Sequence, residues 1–162
     1  MLRVRPTRIL AILTILFVCA CAAVPGFSAE RDIYPAPDRA KIDLAAALET
    51  AAATHKRVIL DFGGNWCPDC RVLDLYFHDS ANKPLLEASY ILVHVNIGRL
   101  NENVDIAERY QIPLRKGVPA LAVLGERGEL LYSQRTGEFE AMRGMQSSAV
   151  TDFLVRWKQP SP

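Results

Sequence analysis

The chain has 162 residues, 50% of them apolar and 23% charged, which is the size and profile of one folded globular domain. Arg3, Arg5 and Arg8 have no acid beside them in residues 1–29, so the rest of the chain carries 16 basic against 18 acidic residues, a balance that argues against nucleic acid as the main partner. Ten scattered prolines, four cysteines and no internal repeat exclude collagen-like, low-complexity, disulfide-dense and solenoid architectures.

Residues 1–29 are expected to be an address. Behind Arg8 lies an uncharged stretch, 9–29, with an aliphatic centre and then small residues, the order of a secretory signal. Three versions of it stay open. The segment is cleaved, with Ala20 and Ala22 or Gly26 and Ser28 as the small pair at the cut. Alternatively Val18-Cys19-Ala20-Cys21 acts as an imperfect lipobox with Cys21 acylated, or 9–29 remains as an anchor, since its 21 uncharged residues can just span a bilayer. All three versions export the body of the chain. Residues 30–41, with Pro35, Pro37 and mixed charges but no apolar periodicity, read as a linker. The folded domain is then 42–158, and 159–162 are a tail.

Within the domain, Leu44, Leu48 and Ala51 fall at helical spacing behind a candidate Asp43 cap, predicting a helix over 43–54. The apolar run 58–62 ending in glycines predicts a buried strand over 57–63. A helix over 68–77, a shorter one over 84–88, a second strand over 91–97 and a brief helix over 104–110 follow. Residues 120–124 and 129–133 flank Gly125-Glu126-Arg127-Gly128 as a hairpin, and Val150, Phe153, Leu154 and Trp157 form the stripe of a closing helix. The order predicts an α/β fold, a βαβ unit followed by a β-hairpin in one mixed sheet covered by helices on both faces.

Chemistry concentrates between the first strand and the second helix, at Trp66-Cys67-Pro68-Asp69-Cys70. A Cys-x-x-Cys pair opening a helix places its first sulfur against free backbone N–H groups and the positive end of the helix dipole, which favour the thiolate. Cys67 is the expected nucleophile and Cys70 the partly covered resolving thiol. Two plainer readings stand beside this one. Half a zinc site would need two more ligands, and His55, His78 and His94 are isolated in the sequence. An inert structural bridge over so short a loop would remove little unfolded-state entropy.

Residues 57–70, with Asp61 and Trp66-Cys67-Pro68-Asp69-Cys70, resemble the active-site region of the thioredoxin superfamily, and Gly117-Val118-Pro119 resembles its second signature. The likeness extends over about residues 43–158 and is nearest to exported thioredoxin-like domains, including electron-relaying periplasmic modules. It implies a single thioredoxin-like domain in which Pro119 is cis and lies against the cysteines, Val118 offers backbone hydrogen bonds to an extended substrate, and Asp61 is a buried proton acceptor behind Cys70. Without the resemblance, Asp61 has two readings. Set in the run 58–62, an unpaired charge would cost several kcal/mol, so the carboxyl either has its charged form disfavoured by burial or faces outward at the strand end. Trp66 reads either as an exposed platform beside the nucleophile or as core.

Asp69, in the spacer with Pro68, opposes the helix dipole and predicts a less stabilised thiolate, hence a reductant. The expected function is a thiol-disulfide oxidoreductase acting on protein thiols and disulfides without cofactor or metal, recharged by a membrane reductase. A non-catalytic module binding peptides along the Val118 edge is the alternative. Two departures from the family bear on the site. Gly63-Gly64-Asn65 replaces the usual aromatic and acidic residues and predicts a smaller, mobile platform. Arg115 and Lys116 add two cations expected to edge the site and offset Asp69, or simply to be solvated.

Overall fold

A computed structural model describes residues 31–159; the segment 1–29, with Cys21, and the end of the tail lie outside the described residues. In chain order the elements are α1 (Ala40–Thr54), β1 (Arg57–Gly63), α2 (Pro68–Phe77), α3 (Lys83–Ser89), β2 (Tyr90–Asn96), α4 (Val104–Arg109), β3 (Ala120–Leu124), β4 (Leu130–Ser133) and α5 (Ser148–Trp157). The strands form one sheet in the order β2-β1-β3-β4. β1 pairs with β2 in parallel and with β3 antiparallel, and β3 pairs with β4 antiparallel. This is the mixed sheet that the βαβ unit and hairpin predict.

Alternation along β1 builds two cores. Val58, Leu60 and Phe62 meet Leu44, Ala47 and Ala51 of α1 and Ile106 and Ala107 of α4. Ile59, on the opposite face, meets Leu73 and Phe77 of α2, Leu86 of α3, and Val150, Phe153 and Leu154 of α5. Both faces are therefore covered by helices. Asp61 and Gly63 continue the Ile59 row towards the C-terminal end of β1, where α2 begins.

The segment read as a linker is corrected where it is described. Pro37–Arg39 forms a 3-10 turn leading into α1, which starts at Ala40 rather than at Asp43. Asp43 lies inside the helix, paired with Arg39 one turn earlier at 2.7 Å, so it does not cap. Ahead of that turn, Tyr34 is 2% exposed. Residues 31–36 are thus a strap fixed to the domain.

Candidate active site

Cys67 ends the loop after β1 in an extended conformation and caps α2, with Pro68 in the first helical turn, where its missing N–H costs nothing. The Cys70 N–H donates to Cys67 Sγ at 3.1 Å, so a free helix donor points at the sulfur. The two cysteines are joined as a disulfide with Cα atoms 5.3 Å apart. Cys70 is fully buried and Cys67 is 3% exposed.

Asp61 is fully buried, not an outward strand-end acid. Its Oδ2 accepts from the Tyr34 hydroxyl at 2.7 Å and lies 2.9 Å from His94 Nδ1, while Oδ1 has no hydrogen-bond partner among the described residues. His94 is the register partner of Asp61 across the parallel pair, which puts both side chains on one face. Its Nε2 is 3.7 Å from Asp74 of α2, and His78 lies 3.2 Å from the same carboxylate. The histidines that look isolated in the sequence are therefore paired, His55 included, which meets Glu126 at 3.0 Å. Burial works against charge on His94, but the hydrogen bond and charge of Asp61, with Asp74 behind, hold its pKa above the ordinary 6.5.

Gly63-Gly64-Asn65 is a seat for the strap and the tryptophan rather than a loose platform. A Cβ at Gly63 would collide with the Tyr34 hydroxyl and, at 2.7 Å, with Cys70 Sγ, so the missing side chain leaves the space that Tyr34 fills. Asn65 fixes the strap by accepting from the N–H groups of Ile33 and Tyr34 at 2.8 and 2.9 Å and donating to the Tyr34 carbonyl at 2.9 Å. Asn96 and Asn103 donate to the carbonyls of Pro35 and Pro37 at 2.7 and 2.9 Å. A Cβ at Gly64 would stand 2.6 Å from Trp66 Nε1. Trp66 is 38% exposed, donates to the Gly98 carbonyl and carries the Arg99 guanidinium 5.0 Å from its ring centroid.

On the far side of the sulfurs, the Val118–Pro119 bond is cis and the Val118 carbonyl oxygen is 3.6 Å from Cys67 Sγ. Val118 packs against the cluster of Tyr34, Cys67 and Cys70. The buried Gln134 side chain donates to the Pro119 carbonyl at 3.1 Å and accepts from the Leu121 N–H at 3.2 Å, holding the turn in place. Asp69 accepts from the backbone N–H and guanidinium of Arg143 at 2.8 and 3.1 Å. Desolvation alone would raise its pKa, but these contacts outweigh it and lower it. Arg143 is thus the cation that offsets Asp69. Arg115 and Lys116 sit exposed on the 3-10 turn Leu114–Lys116, with no ion pair to Asp69 among the described residues. Tyr34, His94, Gln134 and Arg143 escape a reading by motif. The one local signal was the Gly63-Gly64 gap, which asks for a side chain from elsewhere.

Two sulfurs sharing a helix N-terminus can store and release an electron pair by making and breaking their own bond, which is the chemistry of thiol-disulfide exchange. The family follows from comparison: the thioredoxin-like family model matches residues 39–125, and the chain belongs to that family. It is 32% identical over 124 residues to a thiol:disulfide interchange protein DsbD of Pseudomonas fluorescens, covering 72% of this chain and 18% of that protein. A second such protein, DsbD 2 of Pseudomonas aeruginosa, is 32% identical over 143 residues, covering 84% and 21%. The chain spans about a fifth of the length of these curated relatives. Among solved structures, a disulphide isomerase from Xylella fastidiosa Temecula1 superposes with a TM-score of 0.73 at 29% identity, covering 78% of this chain and 96% of that one.

Proposed function

We propose that the chain is an exported oxidoreductase that reduces protein disulfides, or relays electrons towards them, through Cys67 and Cys70. The observation that carries this reading is the Cys70 N–H aimed at Cys67 Sγ from the first turn of α2, a stabilising contact for a thiolate at that sulfur. In the reduced protein Cys67 attacks a substrate disulfide, forms a mixed disulfide and expels one substrate thiolate. Cys70 then loses its proton, attacks Cys67 Sγ and releases the second substrate sulfur, leaving the intramolecular disulfide. Asp61, fully buried on the β1 row that ends beside Cys70, is the proton acceptor for that second step. Val118, whose carbonyl oxygen is 3.6 Å from Cys67 Sγ, would form the contact surface for substrate together with its chain neighbour Pro119 and with Trp66, which precedes Cys67 in the chain.

The resemblance to DsbD proteins supports a place in a chain of thiol-disulfide exchanges, with a membrane reductase restoring the dithiol. The basic, apolar and small-residue order of residues 1–29 supports export. Among the described residues, no helix is long and apolar enough to cross a membrane. Insulin reduction with dithiothreitol tests the reading: native protein accelerates it and Cys67→Ser does not. A peptide-binding module would show no acceleration in either form. The potential of the pair should lie near the about −270 mV of thioredoxin, and a value near about −120 mV would exclude a reductase. Mass spectrometry of the exported protein's N-terminus reads the fate of residues 1–29 and Cys21.

A further inference from the structure

Cys70 and Asp61 are both fully buried, so a proton leaving the resolving thiol has no direct path to water. The space between them is bordered by a group that comes from outside the sheet and its helices. The Tyr34 hydroxyl donates to Asp61 Oδ2 at 2.7 Å, and the same oxygen and Cys70 Sγ both crowd the methyl-sized gap above Gly63. Tyr34 packs in one cluster with Cys67 and Cys70, itself 2% exposed. Its position is set by the three hydrogen bonds of Asn65 to the strap.

We propose that Tyr34 carries the proton of the resolving step, passing it from Cys70 to Asp61. This rests on the disulfide-exchange reading above. The Cys70 S–H bond breaks as the Tyr34 oxygen takes that proton, and the Tyr34 O–H proton moves to Asp61 Oδ2. The Cys70 thiolate forms a bond to Cys67 Sγ, the bond from Cys67 to the substrate breaks, and the electron pair leaves on the substrate thiolate. The onward exit is His94, whose Nδ1 lies 2.9 Å from Asp61 Oδ2 and whose side chain is 17% exposed. The groups facing the hydroxyl are Asp61 from β1, Cys70 and Asp74 from α2 and the His94 ring from β2, its centroid 5.1 Å from that of Tyr34. Burial first, and then the Asp61 charge, push the Tyr34 pKa well above 10.0, so the hydroxyl stays protonated between transfers. The strap joining residues 1–29 to the domain is then a working part of the site.

Single-turnover kinetics of the reduced full chain with oxidised glutathione separate the two steps, and Cys70→Ser reports the first alone. In Tyr34→Phe, which keeps the ring, Cys67 attacks at the native rate. Resolution slows by about tenfold or more at pH 7, and its rate keeps climbing with pH as bulk base takes over. Tyr34→Phe/Asp61→Asn is no slower than the slower single variant, because the two residues act in one path. Asn65→Ala, which frees the strap and leaves the hydroxyl in place chemically, slows the same step. A resolution rate and pH profile in Tyr34→Phe or Asn65→Ala matching native protein would overturn the proposal, as would additive losses in the double variant. If native protein forms no mixed disulfide at Cys67, the exchange reading itself fails, and that outcome is distinct from a normal first step with unaltered resolution.

Discussion

His94 carries a charge balance drawn from β1, α2 and the strap. It faces Asp61 on β1 and Asp74 on α2, with the Tyr34 ring edge against its own and Arg31 of the strap opposing its protonation. Because its folded pKa lies above 6.5, the folded state binds a proton that the unfolded chain releases first as pH rises. The stabilisation is fully present below about pH 6.5 and is lost as pH climbs through the folded value. Native protein is therefore expected to lose urea stability as pH rises from about 6.5 through the folded-state value, and His94→Gln to show a flatter profile over that rise. Equal slopes in the two proteins would reject the assignment. Asp69 acts in the opposite sense: its lowered pKa gives a contribution present above the ordinary carboxylate value and lost as pH falls through the folded one, so the two titrations do not overlap.

At the level of elements, the strap and the loop from β1 to α2 form one unit. Gly63→Ala places a methyl group against the Tyr34 hydroxyl and Cys70 Sγ, and overpacking of this kind costs about 1–3 kcal/mol. The flexible response is for the strap to lift, so the variant is expected to unfold at lower urea and to be cut faster by trypsin at Arg31 or Arg39. Unchanged cleavage at both would mean that the strap is not held by the Gly63 gap. The elements themselves were legible wherever the signal is local. Residues 120–124 are an unbroken apolar run and are buried throughout as β3, and Cys67-Pro68 marks the start of α2 by its chemistry. The start of α1 was misread because Asp43 has the composition of a cap while its partner, Arg39, already lies on the approach to the helix. Tyr34 and His94 were hidden for another reason. The Tyr34–Asp61 bond spans 27 residues, and the Asp61–His94 bond exists only in the register of a parallel pair. A periodic pattern identifies the face of an element but carries no information about which element lies opposite.

For the molecule as a whole, the two cores have different relations to the site. The α1 face supports β1 from behind, whereas the α2 face reaches the sulfurs through a continuous path. Phe153 of α5 stacks edge-on against Phe139 at 5.4 Å, Phe139 and fully buried Met142 share the same core, and the 3-10 turn Met142–Gly144 holds out Arg143 to Asp69. Core packing thus fixes the cation that offsets a carboxylate in the Cys-x-x-Cys spacer. Phe153→Ala leaves a cavity and is expected to cost about 3–5 kcal/mol of stability. Its redox potential should move only if the turn shifts with the core. Arg143→Ala removes the cation directly, leaving Asp69 to oppose a thiolate at Cys67. The dithiol is then less favoured relative to the disulfide, and the potential is expected to become more negative by up to about 30 mV, a tenfold change in the exchange constant. Glutathione equilibration of both variants, read with their urea unfolding, separates the two effects. A potential unmoved in Arg143→Ala would mean that Asp69 does not influence Cys67, and a shift in Phe153→Ala equal to that of Arg143→Ala would place the control of the sulfur in the α5 core.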